Sequence, residues 1–131
     1  MRRCLFPMIV LLALSACRDV AGPTVAFDQQ FTLAPGEQAK LRDSDISIAF
    51  VGVEGDSRCP ADALCIQGGD ARVNIRIIAG GRSTPYALHT GDMKPVVDQG
   101  LTIALVELSP YPFSSTPIKS TDYRATLKVS K

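Results

Sequence analysis

Tryptophan is absent from the 131 residues, and the only other large aromatics are five phenylalanines and three tyrosines. A carbohydrate-stacking surface needs such flat side chains, so their scarcity counts against one. Histidine occurs once, at His89, which leaves one imidazole for a general base or a metal ligand. Glutamate is confined to Glu37, Glu54 and Glu107, beside ten aspartates that mostly sit in turn-like places. No paired-carboxylate pattern of the glycosidase kind stands out among them. Basic residues form no cluster and do not interleave with aromatics, so the phosphate contacts that dominate nucleic-acid binding have no obvious source. No apolar run approaches the roughly 20 residues that a helix needs to cross a hydrocarbon core.

The one sustained apolar run is Leu5 to Leu14, about ten residues, preceded by Arg2 and Arg3. A basic flank and a short apolar stretch at the start of a chain read as a secretory signal. The run ends in Leu14-Ser15-Ala16-Cys17, which resembles the lipobox of bacterial lipoprotein signals. There, a leucine and two small residues precede the cysteine whose sulfur accepts diacylglycerol. The expectation is that residues 1–16 are removed and Cys17 is lipidated, with palmitate among its acyl chains. An ordinary cleaved signal with a coincidental cysteine and an uncleaved anchor are the alternatives. Several acyl chains hold a protein on a bilayer without a transmembrane helix. Residues 17–24 read as the lipidated end and a short tether, and Arg18 to Thr24 reaches roughly 25 Å when extended. Arg18 stands where an aspartate signals inner-membrane retention in enterobacteria, which favours the outer membrane, facing the periplasm.

Cleavage leaves 115 residues, enough for one domain, spanning residues 25–131. Twelve basic residues then face 13 acidic ones, a nearly neutral balance. Of four cysteines, Cys4 leaves with the signal and Cys17 is acylated. Cys59 and Cys65 remain, and a pair in an exported protein reads as a disulfide. Closing a ring of about seven residues is worth roughly 2 kcal/mol of chain entropy, sufficient to fix a loop but not a fold.

Period-two alternation is the clearest structural signal. Ala71, Val73, Ile75 and Ile77 alternate with Arg72, Asn74 and Arg76, and Tyr123, Ala125, Leu127 and Val129 with Arg124, Thr126 and Lys128. Each pattern describes a strand with one buried and one wet face. The segment from Ile46 begins likewise but shifts phase at Val51 and Val53, and the segment from Leu101 shifts at Val106 and Leu108. A bulge, or burial on both faces, explains each shift. Shorter strands are expected at 30–33, 38–41, 86–90 and 96–97, separated by turn signals such as Pro35-Gly36, Gly80-Gly81 and Gln99-Gly100. Seven or eight short strands and no lasting helical period favour an antiparallel β-sandwich of the Greek-key, immunoglobulin-like type, with a small barrel as alternative.

Asp56-Ser57-Arg58-Cys59-Pro60, followed by Cys65 and Gly69, resembles a pattern in small secreted or lipid-anchored bacterial β-domains of unassigned function. Leu108-Ser109-Pro110-Tyr111-Pro112 and Asp122 to Val129 resemble the final third of the same family. The likeness runs from about Phe31 to the C-terminus. It departs at Ile66-Gln67, where an aromatic and a small residue are more usual. The resemblance implies a fold and an extracytoplasmic location, and no chemistry.

The 56–70 segment admits two readings. In one, a disulfide-braced recognition loop presents Asp56, Arg58 and Asp62 to a partner, its entropy already reduced before binding. In the other, Asp56 caps a turn, Arg58 pairs with an acidic neighbour and the disulfide pins a connection. The second is preferred. A redox role is disfavoured, because five residues rather than two separate the cysteines and no helix follows to lower a thiol pKa. His89, Asp92 and Met93 could in principle hold copper, but a single histidine without a partner pattern is more often a surface residue, and no metal or other cofactor is expected. No nucleophile motif surrounds any serine. Tyr111 and Phe113 either face a partner or, the preferred reading, fold back over the sandwich end. Tyr123 reads as a corner tyrosine bonded to nearby backbone. The leading expectation is a non-enzymatic, membrane-anchored envelope binding module that meets a protein or other envelope component through its end loops. An inhibitor or sensor of an exported hydrolase is the alternative, and a small enzyme or metal carrier a weaker one.

Overall fold

The computed structural model describes residues 22–131, so residues 1–16, read above as a signal, and Cys17 lie outside the described residues. Nine strands form two sheets. They are β1 (Thr24–Val25), β2 (Gln30–Leu33), β3 (Gln38–Leu41), β4 (Ser47–Glu54), β5 (Arg72–Ala79), β6 (Arg82–His89), β7 (Val96–Asp98), β8 (Leu101–Ser109) and β9 (Arg124–Ser130). One sheet has the order β1-β3-β4-β5-β6 and the other β2-β9-β8-β7. Every pairing is antiparallel except β1 with β3. With two separate sheets facing each other across one core, the fold is a sandwich and not a barrel. The one helical element among the described residues is a 3-10 turn at Ser120–Asp122.

Alternation translates directly into the core. Val73, Ile75 and Ile77 of β5 and Ala125, Leu127 and Val129 of β9 are buried, facing Leu33, Leu41, Ile48, Phe50, Leu88 and Ile103. Each full burial of a large aliphatic or aromatic side chain stabilises by about 1.5–3 kcal/mol. Both phase shifts are bulges. Phe50 pairs with Ile75 and Gly52 with Asn74, so Val51 is the supernumerary residue of β4 and its side chain is about half exposed. Leu105 pairs with Leu127 and Glu107 with Thr126, which makes Val106 the extra residue of β8. Each bulge returns the following apolar residue, Val53 or Leu108, to the core side.

Two boundaries differ from expectation. β6 begins at Arg82 rather than near Tyr86, because it is the sheet edge and its first four residues are exposed on both faces, leaving no alternation to read. Pro85 is compatible with such an edge. The stretch read as tether is partly structural: Thr24 pairs with Lys40, and the Pro23 carbonyl accepts the Lys40 amide at 2.9 Å. Gly22 runs so close to β3 that a Cβ there would lie 1.5 Å from the Gln38 carbonyl oxygen. Only Arg18 to Ala21 therefore separate Cys17 from the described chain.

Strand directions define two ends. Glu54, Arg72 and His89 share one, with Ser109 and Arg124 of the other sheet. The hairpins at 79–82 and 98–101 lie at the opposite end. The long connections 55–71 and 110–123 and the 90–95 turn all gather at the first end, hereafter the loop end. In equilibrium denaturation, Phe50→Ala is expected to cost about 3–5 kcal/mol, since the ring is fully buried. Val51→Ala, on the exposed bulge, is expected to change stability by less than about 0.5 kcal/mol.

Candidate functional site at the loop end

The 55–71 connection leaves β4 and must return to β5 beside it. Asp56 turns it at once: one carboxylate oxygen accepts the Arg58 amide at 3.2 Å and the Arg58 Nε at 2.9 Å. The other accepts Arg58 Nη2 at 2.7 Å and the Tyr123 hydroxyl at 2.9 Å. Beyond this bidentate pair, the guanidinium reaches the opposite sheet, where Nη1 donates to the Leu108 carbonyl at 2.8 Å and Nη2 to the Pro110 carbonyl at 3.0 Å. Arg58 is the one polar or charged residue among the buried described residues, and its planar fork satisfies four acceptors that a lysine could not reach together. Tyr111 lies with its ring centroid 5.7 Å from the guanidinium carbon.

Of the two readings of Asp56 and Arg58, the clamp matches the structural one, with Asp56 turning the chain and Arg58 paired to it. Asp56 and Arg58 point inward, with side chains only 11% and 7% exposed, and are unsuited to meeting a partner. Asp62 is exposed but is occupied in holding the neighbouring loop, accepting the Ser114 amide at 2.9 Å and its hydroxyl at 3.0 Å. The Tyr123 hydroxyl bonds a side chain 67 residues away rather than nearby backbone, so the corner-tyrosine expectation is corrected. Asp56 is within its reach because Arg58 ties the start of the 55–71 loop to the end of β8, beside β9.

The returning limb is locked to the outgoing one. Ser57 donates its amide at 2.8 Å and its hydroxyl at 2.9 Å to the Asp70 carbonyl, and accepts the Asp70 amide at 3.1 Å. Gly69 is required here, because a Cβ would lie 1.5 Å from the Ser57 carbonyl oxygen. The disulfide Cys59–Cys65 joins Cα atoms 6.0 Å apart and closes the tip. Leu64 and Ile66, on either side of Cys65, are completely exposed. The Ala61 amide donates to the Pro112 carbonyl at 2.9 Å, which ties this tip to the adjacent loop. There Tyr111 and Phe113 are more than half exposed, so they do not fold back over the sandwich end as expected. A groove of about 330 Å³ runs between the loops, lined by Arg58, Gly69, Met93, Val106, Leu108 and Tyr111 among others.

Sequence reading missed a second side-chain pair. Asp70 Oδ2 lies 2.6 Å from His89 Nδ1, while its Oδ1 accepts the Gly91 amide at 2.8 Å. The two residues are separated by 19 positions and meet only because β5 and β6 are paired, a relation that local spacing does not disclose. The His89 contact, chiefly, holds the Asp70 carboxyl below its ordinary range. Asp92 does not join this pair; its carboxylate accepts the Lys94 amide at 3.0 Å. Among the described residues no three His, Cys, Asp or Glu side chains are grouped as a metal site, and His89 makes no hydrogen bond to a hydroxyl or thiol nucleophile.

The hydrogen bond from Arg58 is the main reason the Asp56 carboxyl titrates below 3.8. Burial, then the Asp56 contact, push the Tyr123 hydroxyl up to about 12, which keeps it a donor throughout the neutral range. Searches of known family models, curated proteins and solved structures gave no match to this chain.

Because its folded pKa is depressed, Asp56 contributes stability that is present above pH 3.8 and is lost as pH falls through its lower folded value. Denaturation midpoints against pH are expected to show Asp56→Asn less stable at neutral pH and less acid-sensitive than the parent. Arg58→Ala, which leaves a buried carboxylate without its cation, is expected to cost about 3–5 kcal/mol. Paired Cys59→Ser and Cys65→Ser changes are expected to cost only about 2 kcal/mol by thermal denaturation, with the fold retained.

Proposed function

We propose that the mature chain is a non-enzymatic, lipid-anchored module of the bacterial envelope, acylated at Cys17 and placed at the outer membrane facing the periplasm. Its interaction surface is the loop end, centred on the Cys59–Cys65 tip. The observation that carries this reading is the exposure of Leu64 and Ile66 on a loop whose root is immobilised. Large apolar side chains left in water on a braced loop gain free energy when covered, and bracing limits the entropy lost on binding. The contact set thus moves from Asp56, Arg58 and Asp62 to Leu64, Ile66, Tyr111 and Phe113, with the three charged residues supporting it.

The alternative, an inhibitor or sensor of an exported hydrolase, draws on the same projecting tip, which has the form of an element that enters a cleft. The two readings part on one assay: an inhibitor lowers the residual activity of envelope hydrolases when added, and a passive binding module does not.

The test is photocrosslinking in intact cells from a probe at position 64 or 66, with position 97 at the far end as control. Adducts from 64 or 66, absent from 97, are the expected result. Equal yields from both ends would remove the loop end as the interaction surface. Mass spectrometry of the membrane-derived N-terminus tests the anchor separately, and an unmodified Cys17 thiol would end that part of the proposal.

A further inference from the structure

The loop end and the point where the chain enters the sandwich are on the same side. β1 runs parallel to β3, and both run away from the loop end: Thr24 pairs with Lys40, which pairs with Ser47 at the far end of β4. The chain therefore arrives at Gly22 from the direction of the loop end, level with Gln38 and, across β3, Ala49. From Ala49 to Glu54 is five residues of β4, or about 17 Å. From Gly22 back to Cys17 is also five residues, with a similar reach. A tether of that reach, extended toward the loop end, can bring the acylated sulfur level with Glu54, where the loop that carries Leu64 and Ile66 leaves β4.

The chemistry of that tip suits the surface the anchor enters. Residues 63–69 carry no charged side chain. Asp62, next to them, is turned back to hold Ser114. Tyr111 and Phe113 stand beside the tip on a loop fastened to it through Ala61 and Pro112. Two aliphatic side chains at the apex, with tyrosine and phenylalanine behind them, form the graded apolar surface that enters the headgroup and acyl boundary of a bilayer.

We infer that the partner of the loop end is the membrane itself: Leu64 and Ile66 insert into the lipid interface next to the Cys17 acyl chains and hold the sandwich upright on its anchor. The inference rests on the anchor reading proposed above and adds an orientation to it. The disulfide and the Arg58 clamp then serve to present the tip without its being drawn into the protein's own core.

Because the chain has no tryptophan, a single introduced one reports its own surroundings. Full-length acylated protein bearing Leu64→Trp, Ile66→Trp or Val97→Trp is reconstituted into vesicles of phosphatidylethanolamine and phosphatidylglycerol, with and without brominated acyl chains. Val97 is exposed near the opposite end and serves as control. The expected result is blue-shifted emission and loss of fluorescence to brominated lipid at 64 and 66, with 97 unaffected. Acylated protein whose 64 and 66 probes are no more quenched than 97 overturns the inference, leaves the anchor intact and frees the loop end for a protein partner. A Cys17 that mass spectrometry finds unacylated overturns the anchor reading and this inference with it.

Discussion

The Arg58 guanidinium is the contact on which the loop end depends. It spans the gap between the sheets, with Asp56 on one side and the Leu108 and Pro110 carbonyls on the other. A charge so deeply placed is tolerated because four of its five N–H donors meet acceptors, two of them on a carboxylate. Asp56 neutralises it bidentately, Tyr123 takes up the remaining capacity of that carboxylate, and two backbone oxygens accept the other protons. Removing any one of these groups strands the others, which makes the cluster behave as a unit. Among the described residues no buried side-chain polar atom lacks a partner.

The clamp makes the apolar tip possible. A connection of seventeen residues between neighbouring strands would ordinarily turn its leucine and isoleucine inward. Here the root is tied to the facing sheet, the limbs are zipped through Ser57 and Asp70, and the disulfide shortens the free apex. Leu64 and Ile66 cannot reach the core from that position. Their exposure follows from the bracing, and the proposed envelope role follows from the exposure. The tip, the short tether and the direction of β1 then fit one picture, in which a rigid domain stands on a membrane with its apolar end downward.

Much of this architecture is legible in the sequence because burial on one face of a strand imposes alternation. The β5 and β9 segments display it directly, and the phase changes at Val51 and Val106, open in the sequence to a bulge or to burial on both faces, are bulges in the structure. Edge strand β6 and the two-residue β1 were obscured, since exposure on both faces or extreme shortness leaves no pattern. At the loop end, the local pairing of Asp56 with Arg58 follows from a separation of two residues. The Tyr123 and Leu108 contacts are long-range and have no local signature. The Asp70–His89 pair was hidden for the same reason. Leu64 and Ile66 are a different case: apolar residues usually signal core, and only the geometry of the closed ring shows that these two face solvent. Asp56, Arg58, the two cysteines, Gly69 and Tyr123 are in this chain the residues that build and brace the clamp.

Amide hydrogen exchange on the full-length protein and its Arg58→Met variant tests the supporting role of the guanidinium most directly. Methionine keeps much of the volume and removes the charge and its donors. The account predicts that the Ser57, Ala61 and Ser114 amides, which fasten the loops to each other, exchange markedly faster in the variant, while those of β8 and β9 in the sheet interior remain protected. Unchanged protection at Ala61 and Ser114 would contradict it, and would mean that the loop end is held by something other than the Arg58 clamp.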